Sequence, residues 1–164
     1  MNVFDKLDNV KGIILDIDGV FTDNSILVND QGEFLRIMNV RDGYAIKRAI
    51  SAGIKVGVIS GGKSIGIIHR MKILGIQEIF LGIEDKISVF NKILESWKID
   101  KNNIMYMGDD IPDLECLKEA GLAVCPKDAV PEVLEVADYV TEQEGGKGCI
   151  RQIIEHILQS QNKW

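Results

Sequence analysis

The sequence predicts a doubly wound, Rossmann-like α/β domain on a mostly parallel sheet, and three observations predict it. Short, nearly unbroken apolar runs recur along the chain. Amphipathic segments alternate with them, the pattern of strands covered on both faces by crossing helices. Two of the runs end in clusters of aspartates. One segment, residues 25–40, breaks the alternation.

"KGIILDI" is the first strand, and "DIDGVFTD" closes it. "SILVNDQGEFLRIMNV", residues 25–40, reads as two strands around an "NDQG" turn. This hairpin lies between the first strand and the first helix, so it should project from the carboxyl edge of the sheet, where ligands bind in this architecture. "IKVGVIS" is the next strand, followed by a helix with Ile67, Ile68, Met71 and Leu74 on one face. "EIFLG" leads to a helix carrying Ile87, Phe90, Ile93, Leu94 and Trp97. "NIMYMGD" and "LAVCP" follow, and Ile150, Ile153, Ile154, Ile157 and Leu158 stripe a last helix. Stripes at this spacing are core packing. Gly53, Gly75 and Gly121 each follow a helical pattern, where a C-terminal glycine belongs. No repeat or linker divides the chain, so residues 1–164 are expected to form one domain, with a tail at 144–164.

A chain of 164 residues, 46% hydrophobic and 27% charged, has the balance of a soluble globular protein. Its net charge of −6 argues against a nucleic-acid partner or an anionic membrane, since both call for excess Lys and Arg. An anionic ligand would need local positive charge and a bound cation. Cys116, Cys125 and Cys149 are odd in number and scattered, which suits buried thiols rather than disulfides or a zinc site. "MNVFDKLDNVKG" shows no signal-peptide pattern, and no apolar run reaches the ~20 residues of a membrane span. The expected compartment is the cytoplasm.

"GVISGGKS", residues 57–64, satisfies the P-loop expression G-x-x-x-x-G-K-[ST]. A true P-loop has its first glycine after the strand, whereas Gly57 sits inside "IKVGVIS". Ending the strand before it would expose Val58 and Ile59, so the strand should run to Ser60. The nucleotide reading is rejected. What survives is a strand-to-helix turn, Ser60, Gly61 and Gly62, able to offer a hydroxyl and N–H groups to an anion.

In "DIDGVFTD" the period of two puts Asp16 and Asp18 on the same side, with Ile17 pointing away. Two carboxylates at a buried strand end repel and lose hydration, and a cation would relieve both costs. Asp109, Asp110 and Asp113 in "GDDIPDL" would meet them at one carboxyl edge if both strands are central. Hard oxygen ligands at that density suit Mg²⁺, with waters and phosphate completing its octahedron. Asp113, after Pro112, also fits a helix N-cap.

In this order "DIDGVFTD", Ser60 ending "KVGVIS", Lys86 in "GIEDKISVF" and "GDDIPD" resemble the four motifs of the haloacid dehalogenase (HAD) superfamily of phosphatases. The resemblance implies that Asp16 attacks phosphorus, that Asp18 serves as acid and then base, and that Ser60 and Lys86 hold the phosphoryl oxygens. It implies Mg²⁺ on Asp16, Asp109 and the backbone carbonyl of Asp18, with Asp110 and Asp113 around it. Only 43 residues separate Asp16 from Ser60, and the hairpin and one helix fill them, so no cap domain is expected.

Further stretches, "NVRDGYAIK", "ADYVT" and "GGKGCIRQ", resemble the 3-deoxy-D-manno-octulosonate 8-phosphate (KDO 8-phosphate) phosphatase family over almost the whole length. That resemblance implies hydrolysis of an acidic sugar phosphate, a homotetramer joined through the hairpins and a place in lipopolysaccharide biosynthesis. It implies that Asn39, Arg41, Asp42, Gly43, Lys47, Gly61, Gly62 and Arg70 line the substrate site. Arg41 would meet the sugar carboxylate, and Asp42 is either a substrate contact or a helix N-cap. "EGGKGCIRQ" is either a segment closing over an active site, its own or a neighbour's, with Lys147 or Arg151 bringing charge, or a flexible linker. The chain departs from part of the family where Gly62, with Lys63 beside it, and Lys47 replace arginines. Two rivals stay open: a sialic- or KDN-type 9-phosphate as substrate, and a catalytically silent sugar-phosphate-binding domain.

Overall fold

The structure is a computed structural model and describes residues 2–164. In chain order come α1 (Val3–Asp8), β1 (Gly12–Leu15), β2 (Leu27–Val28), β3 (Phe34–Leu35), α2 (Val40–Ser51) and β4 (Lys55–Ile59). Then follow α3 (Ile65–Ile73), β5 (Glu78–Phe80), α4 (Lys86–Trp97), β6 (Ile104–Met107) and α5 (Leu114–Glu119). β7 (Leu122–Cys125), α6 (Pro131–Val136), β8 (Tyr139–Val140) and α7 (Cys149–Ser160) complete the chain. Six strands form one parallel sheet in the order β5-β4-β1-β6-β7-β8.

Strand alternation divides the core into two layers. Ile13, Leu15, Val56, Val58, Met105 and Met107 face one side, where α2, α3 and α7 contribute Ile46, Met71, Ile150 and Ile154. Ile14, Ile59, Ile104 and Tyr106 face the other, against Phe90, Ile93 and Trp97 of α4 and Leu117 of α5. The stripe read on the last helix is wholly buried. At roughly 1.5–3 kcal/mol for each aliphatic side chain removed from water, packing rather than helix propensity holds α7 in place.

Gly57, the first glycine of the P-loop expression, lies within β4, and a Cβ there would sit 3.2 Å from the Trp97 ring. Its glycine makes room for an indole. Gly53 and Gly75 take φ of +87° and +89° just past α2 and α3, as C-terminal glycines do. Gly121 is outside the left-handed region, and its reason is space: a Cβ would strike the backbone of Asn102. The three cysteines are free and buried.

The hairpin turns at Asn29–Gly32 as read, but its ladder is shorter than residues 25–40. Only two residues pair on each arm, and Asn39 ends the arm by capping α2, its side chain accepting the N–H groups of Arg41 and Asp42. Val40 is therefore helical. Three short elements, α1, α6 and β8, have six residues or fewer and too few apolar positions to show a period.

The chain leaves β1 toward β4 and leaves β6 toward β7, although β1 and β6 are neighbours. Diverging connections open a crevice beyond the carboxyl ends of those two strands. That topology brings the two aspartate clusters together.

Candidate active site

Asp16 directly follows β1 and continues its ladder, its N–H donating to the Met107 carbonyl at 3.0 Å. Lys86 opens α4, whose N-cap is Asp85. Its ammonium lies 3.0 Å from Asp16 Oδ2 and 2.8 Å from Asp113 Oδ1. Asp113 is fully buried and saturated: Oδ1 also accepts the Tyr106 hydroxyl at 2.7 Å, and Oδ2 accepts the N–H groups of Asp109 and Asp110. The possibility of Asp113 as a helix N-cap is therefore partly realised. It receives backbone N–H groups, but those of the loop before it, in a reciprocal box with Asp110.

Burial is the main reason that Asp16 is held well above the usual carboxylate range, with the charge of Asp113 adding to it and Lys86 opposing. Burial likewise raises Asp109 to about 6. Burial pulls Lys86 down, but Asp16 and Asp113 together outweigh it, and the net shift is upward. Three buried carboxylates, Asp16, Asp109 and Asp113, thus share one ammonium.

Oxygens of Asp16, Asp109 and Asp113 lie within 4.8 Å of one another. Asp113 has spent its oxygens elsewhere. Asp109 Oδ2 accepts from Asn24 at 2.9 Å, but its buried Oδ1 has no hydrogen-bond partner. A buried carboxylate oxygen left unpaired is costly unless an ion takes it. Asp16 and Asp109 therefore fit a divalent cation with oxygen-ligand preference, and Mg²⁺ is that ion in chemistry of this kind. Gly19, at φ +87°, leaves no room for a side chain against the Asp109 carboxylate.

Ser60 is buried at the end of β4, its hydroxyl accepting the Gly62 N–H at 3.2 Å. Gly61 and Gly62 line the cleft with Asp16, Asp18, Lys86, Asp109 and Asp110, around a cavity of about 440 Å³. The Lys86 ammonium and the Gly61–Gly62 turn thus border one cleft with Asp16, and the Ser60 hydroxyl lies beneath that turn.

Other residues singled out in the sequence lie elsewhere. Asn39 is the α2 cap, which corrects the reading of Asp42 as N-cap. Asp42 is buried, and its Oδ1 accepts the N–H of Arg151 at 2.7 Å, fastening α2 to the start of α7. Gly43 lets the Arg70 guanidinium pass, with 2.5 Å between Nη2 and a would-be Cβ. Arg70 and Lys63 border a hollow of about 630 Å³ between the hairpin and α3. Arg41, Lys147 and Arg151 border another, about 480 Å³, at the α7 start, and Lys47 is exposed. Arg151 packs over the rings of Tyr44 and Trp164 and pairs with Glu155 at 2.8 Å. The tail's Gly145 and Gly146 press on the Gly19–Thr22 backbone of their own chain, with the Gly146 N–H donating to Val20.

Two polar residues at this edge escaped the sequence reading. Asn24 reaches Asp109, and Arg36 of the hairpin reaches Asp18, its Nε 2.6 Å from Oδ1 and its Nη2 3.1 Å from Oδ2. The available signal for Arg36 was that no other basic residue lies between Asp16 and Arg41.

Comparison with known proteins agrees with this geometry. The sequence profile of the haloacid dehalogenase-like hydrolases matches residues 74–153. The 3-deoxy-D-manno-octulosonate 8-phosphate phosphatase KdsC of Escherichia coli K12 is 38% identical over 162 residues, covering 99% of this chain and 86% of that one. The crystal structure of the Yersinia pestis 3-deoxy-D-manno-octulosonate 8-phosphate phosphatase superposes with a TM-score of 0.96 at 35% identity, covering 98% of this chain and 87% of that one. The Moraxella catarrhalis phosphatase, solved with magnesium, phosphate and KDO, gives 0.95 at 31% identity, covering 98% and 92%. The chain belongs to the haloacid dehalogenase-like hydrolases and, among them, to the 3-deoxy-D-manno-octulosonate 8-phosphate phosphatase family.

Proposed function

We propose that this chain is a Mg²⁺-dependent phosphomonoesterase that converts KDO 8-phosphate to KDO and phosphate through an aspartyl-phosphate on Asp16. The observation that carries the chemistry is the buried, unpartnered Asp109 oxygen beside the Asp16–Lys86 pair. The sugar comes from the relatives, phosphatases of that substrate, one of them solved with KDO.

In this reading an Asp16 oxygen attacks phosphorus in line with the sugar oxygen, and the P–O bond to the sugar breaks as the bond to Asp16 forms. Asp18 gives its proton to the departing oxygen, then takes one from the water that attacks the aspartyl-phosphate and frees Asp16. Lys86, the Ser60 hydroxyl and the N–H groups of the Gly61–Gly62 turn hold the equatorial oxygens. Asp16, Asp109 and the Asp18 carbonyl would hold Mg²⁺, whose charge would let an anionic nucleophile approach an anionic phosphate. Asp113 and Asp110 brace that shell, Asp113 by fixing Lys86.

Arg41, Lys47, Lys63, Arg70, Lys147 and Arg151 provide positive charge available to the sugar acid, in a chain of net charge −6. The hairpin supports assembly. Leu27, Val28 and Ile37 are 67%, 59% and 89% exposed, and a contiguous apolar arm of this kind calls for a partner surface. We read it as joining copies into a homotetramer whose packed hairpins cover the capless cleft, in the cytoplasm. Among the described residues, no helix is long and apolar enough to cross a membrane.

The test is phosphate release from KDO 8-phosphate, KDN 9-phosphate, ATP and p-nitrophenyl phosphate, with and without Mg²⁺, for wild type and Asp16→Asn. Mg²⁺-dependent turnover centred on KDO 8-phosphate and lost in Asp16→Asn is the expected result. ATP hydrolysis surviving Asp16→Asn would refute the mechanism. Deleting Asp30–Gly32 should weaken assembly and activity together, and a fully active monomer would remove the covering role of the hairpin.

A further inference from the structure

We infer that Arg36 is the positioning residue of Asp18, and that Gly62 is a glycine so that Arg36 can reach it. The inference rests on the reading of Asp18 as proton donor to the departing sugar oxygen.

Every guanidinium nitrogen of Arg36 is engaged. Nε and Nη2 grip the two Asp18 oxygens at 2.6 and 3.1 Å, and Nη1 donates to the Phe34 carbonyl at 3.2 Å. The fork fixes the plane of the carboxylate as well as its place, which a single bond from a lysine would not do. The arginine side chain is only 6% exposed, although it springs from a hairpin whose neighbouring residues face solvent. Asp18, by contrast, retains 30% exposure and stands at the mouth of the cleft.

Position 62 explains how the arm gets there. A Cβ on Gly62 would lie 2.8 Å from Arg36 Nη2 and 3.1 Å from Asp18 Oδ2. The backbone of Gly62 therefore borders the ion pair. Its φ is not in the left-handed region, so the demand for glycine here is spatial. Arg36, Gly62 and Asp18 form one packed unit linking the hairpin to the cleft, with Arg36 also bordering the hollow between hairpin and α3.

A proton donor matters in proportion to how badly the leaving oxygen needs a proton. A sugar alkoxide needs one, and p-nitrophenolate leaves as a stable anion without it. A residue that acts by placing Asp18 must therefore affect the two substrates unequally in kcat/KM, which reports steps through departure of the leaving group. A residue that merely supports the fold, or binds phosphate, affects both alike.

The experiment measures kcat/KM of the Mg²⁺-loaded enzyme on KDO 8-phosphate and on p-nitrophenyl phosphate, for wild type, Arg36→Gln, Arg36→Lys, Gly62→Ala, Asp18→Asn and the Asp18→Asn/Arg36→Gln double variant. Arg36→Gln should lose roughly 10- to 100-fold on the sugar phosphate and less than about threefold on the nitrophenyl ester. Arg36→Lys should recover part of the loss. In the Asp18→Asn background, Arg36→Gln should add less than about twofold. Gly62→Ala crowds the arginine but also touches the phosphate-binding turn, so it should lose on both substrates, with the larger loss on the sugar phosphate, and Arg36→Lys, which keeps the charge without the fork, preserves the test if Arg36→Gln fails to fold. Equal losses on both substrates, full additivity with Asp18→Asn, or a gain of activity would each overturn the inference. If Asp18→Asn itself loses equally on both, the proton-donor reading fails and takes the inference with it. If Asp18→Asn discriminates while Arg36→Gln and Gly62→Ala do not, the inference alone fails.

Discussion

Tyr106 donates its phenolic hydrogen to Asp113 at 2.7 Å, on the same oxygen that Lys86 approaches at 2.8 Å. The phenol lies in the layer beneath the cleft, edge-on to Phe90, and is fully buried. Burial first and the Asp113 charge second hold its pKa well above the usual phenol value, so it remains a donor. It thereby keeps Asp113 aimed at Lys86 from below.

Tyr106→Phe should therefore weaken the enzyme without altering the fold. Loss of one hydrogen bond to a buried charge costs about 1.5–3 kcal/mol of stability. Some of that loss should appear as a reduced kcat/KM, about 3- to 30-fold, since Lys86 gains freedom. Urea unfolding and steady-state kinetics on the same preparation check both numbers. Full activity in a destabilised Tyr106→Phe would restrict the phenol to a packing role.

Mg²⁺ binding should depend on pH with a definite sign. Burial raises Asp109 to about 6 and holds Asp16 well above the usual carboxylate range, so at low pH a cation must displace protons to bind there. The raised values also mean that the metal-free chain loses stability as pH rises from the ordinary carboxylate range through about 6. The rise in thermal midpoint on adding Mg²⁺ should be small at pH 5 and grow as pH passes 6. At pH 7.5 and an ion concentration 100 times Kd it should reach about 2.7 kcal/mol of stabilisation. Equal shifts at both pH values would contradict the assigned ligands.

Asp42 offers a second pH test, away from the ion. Burial raises it to about 6, against the pull of backbone N–H groups at the start of α7. The folded state gains from its protonation, a gain present at low pH and lost as pH rises through 6. In EDTA, the stability of wild type relative to Asp42→Asn should fall by about 1 kcal/mol between pH 5 and pH 7.5. A constant gap across that range would mean that Asp42 is not protonated in this window.

Gly57→Ala separates packing from nucleotide binding in "GVISGGKS". The added methyl meets the Trp97 ring and the Glu78 Cβ at 3.2–3.3 Å, tight contacts in a filled core. Overpacking of this kind costs about 1–3 kcal/mol, read as a lower urea midpoint. ATP should change neither the wild-type nor the variant midpoint. A midpoint raised by ATP in wild type and not in Lys63→Ala would restore the P-loop.

The strand runs, the helix stripes and the order of the four motifs were legible in the sequence because each is local. A period of two or 3.6 and a carboxylate at a strand end are visible within ten residues. Asp16, Asp18, Ser60 and Asp109 could be named on that basis, with the fold that gathers them, and Lys86 only through the resemblance that the motif order carries. What the sequence could not reveal is how polar side chains pair across the folded edge. Asp42 looked like a cap or a ligand; Asn39 holds the cap, and Asp42 fastens α7, because a residue 109 positions away supplies the N–H. The hairpin looked like two long strands, until the Asn39 cap claimed Val40 for the helix. Arg36 carried no motif, since its meaning lies in Asp18 and in the missing side chain of Gly62. Local pattern determined the elements and the chemical inventory of this protein. Only tertiary packing decided which carboxylate receives a guanidinium, which an ammonium, and which is left open for an ion, because those choices depend on distances between segments that sequence spacing does not encode.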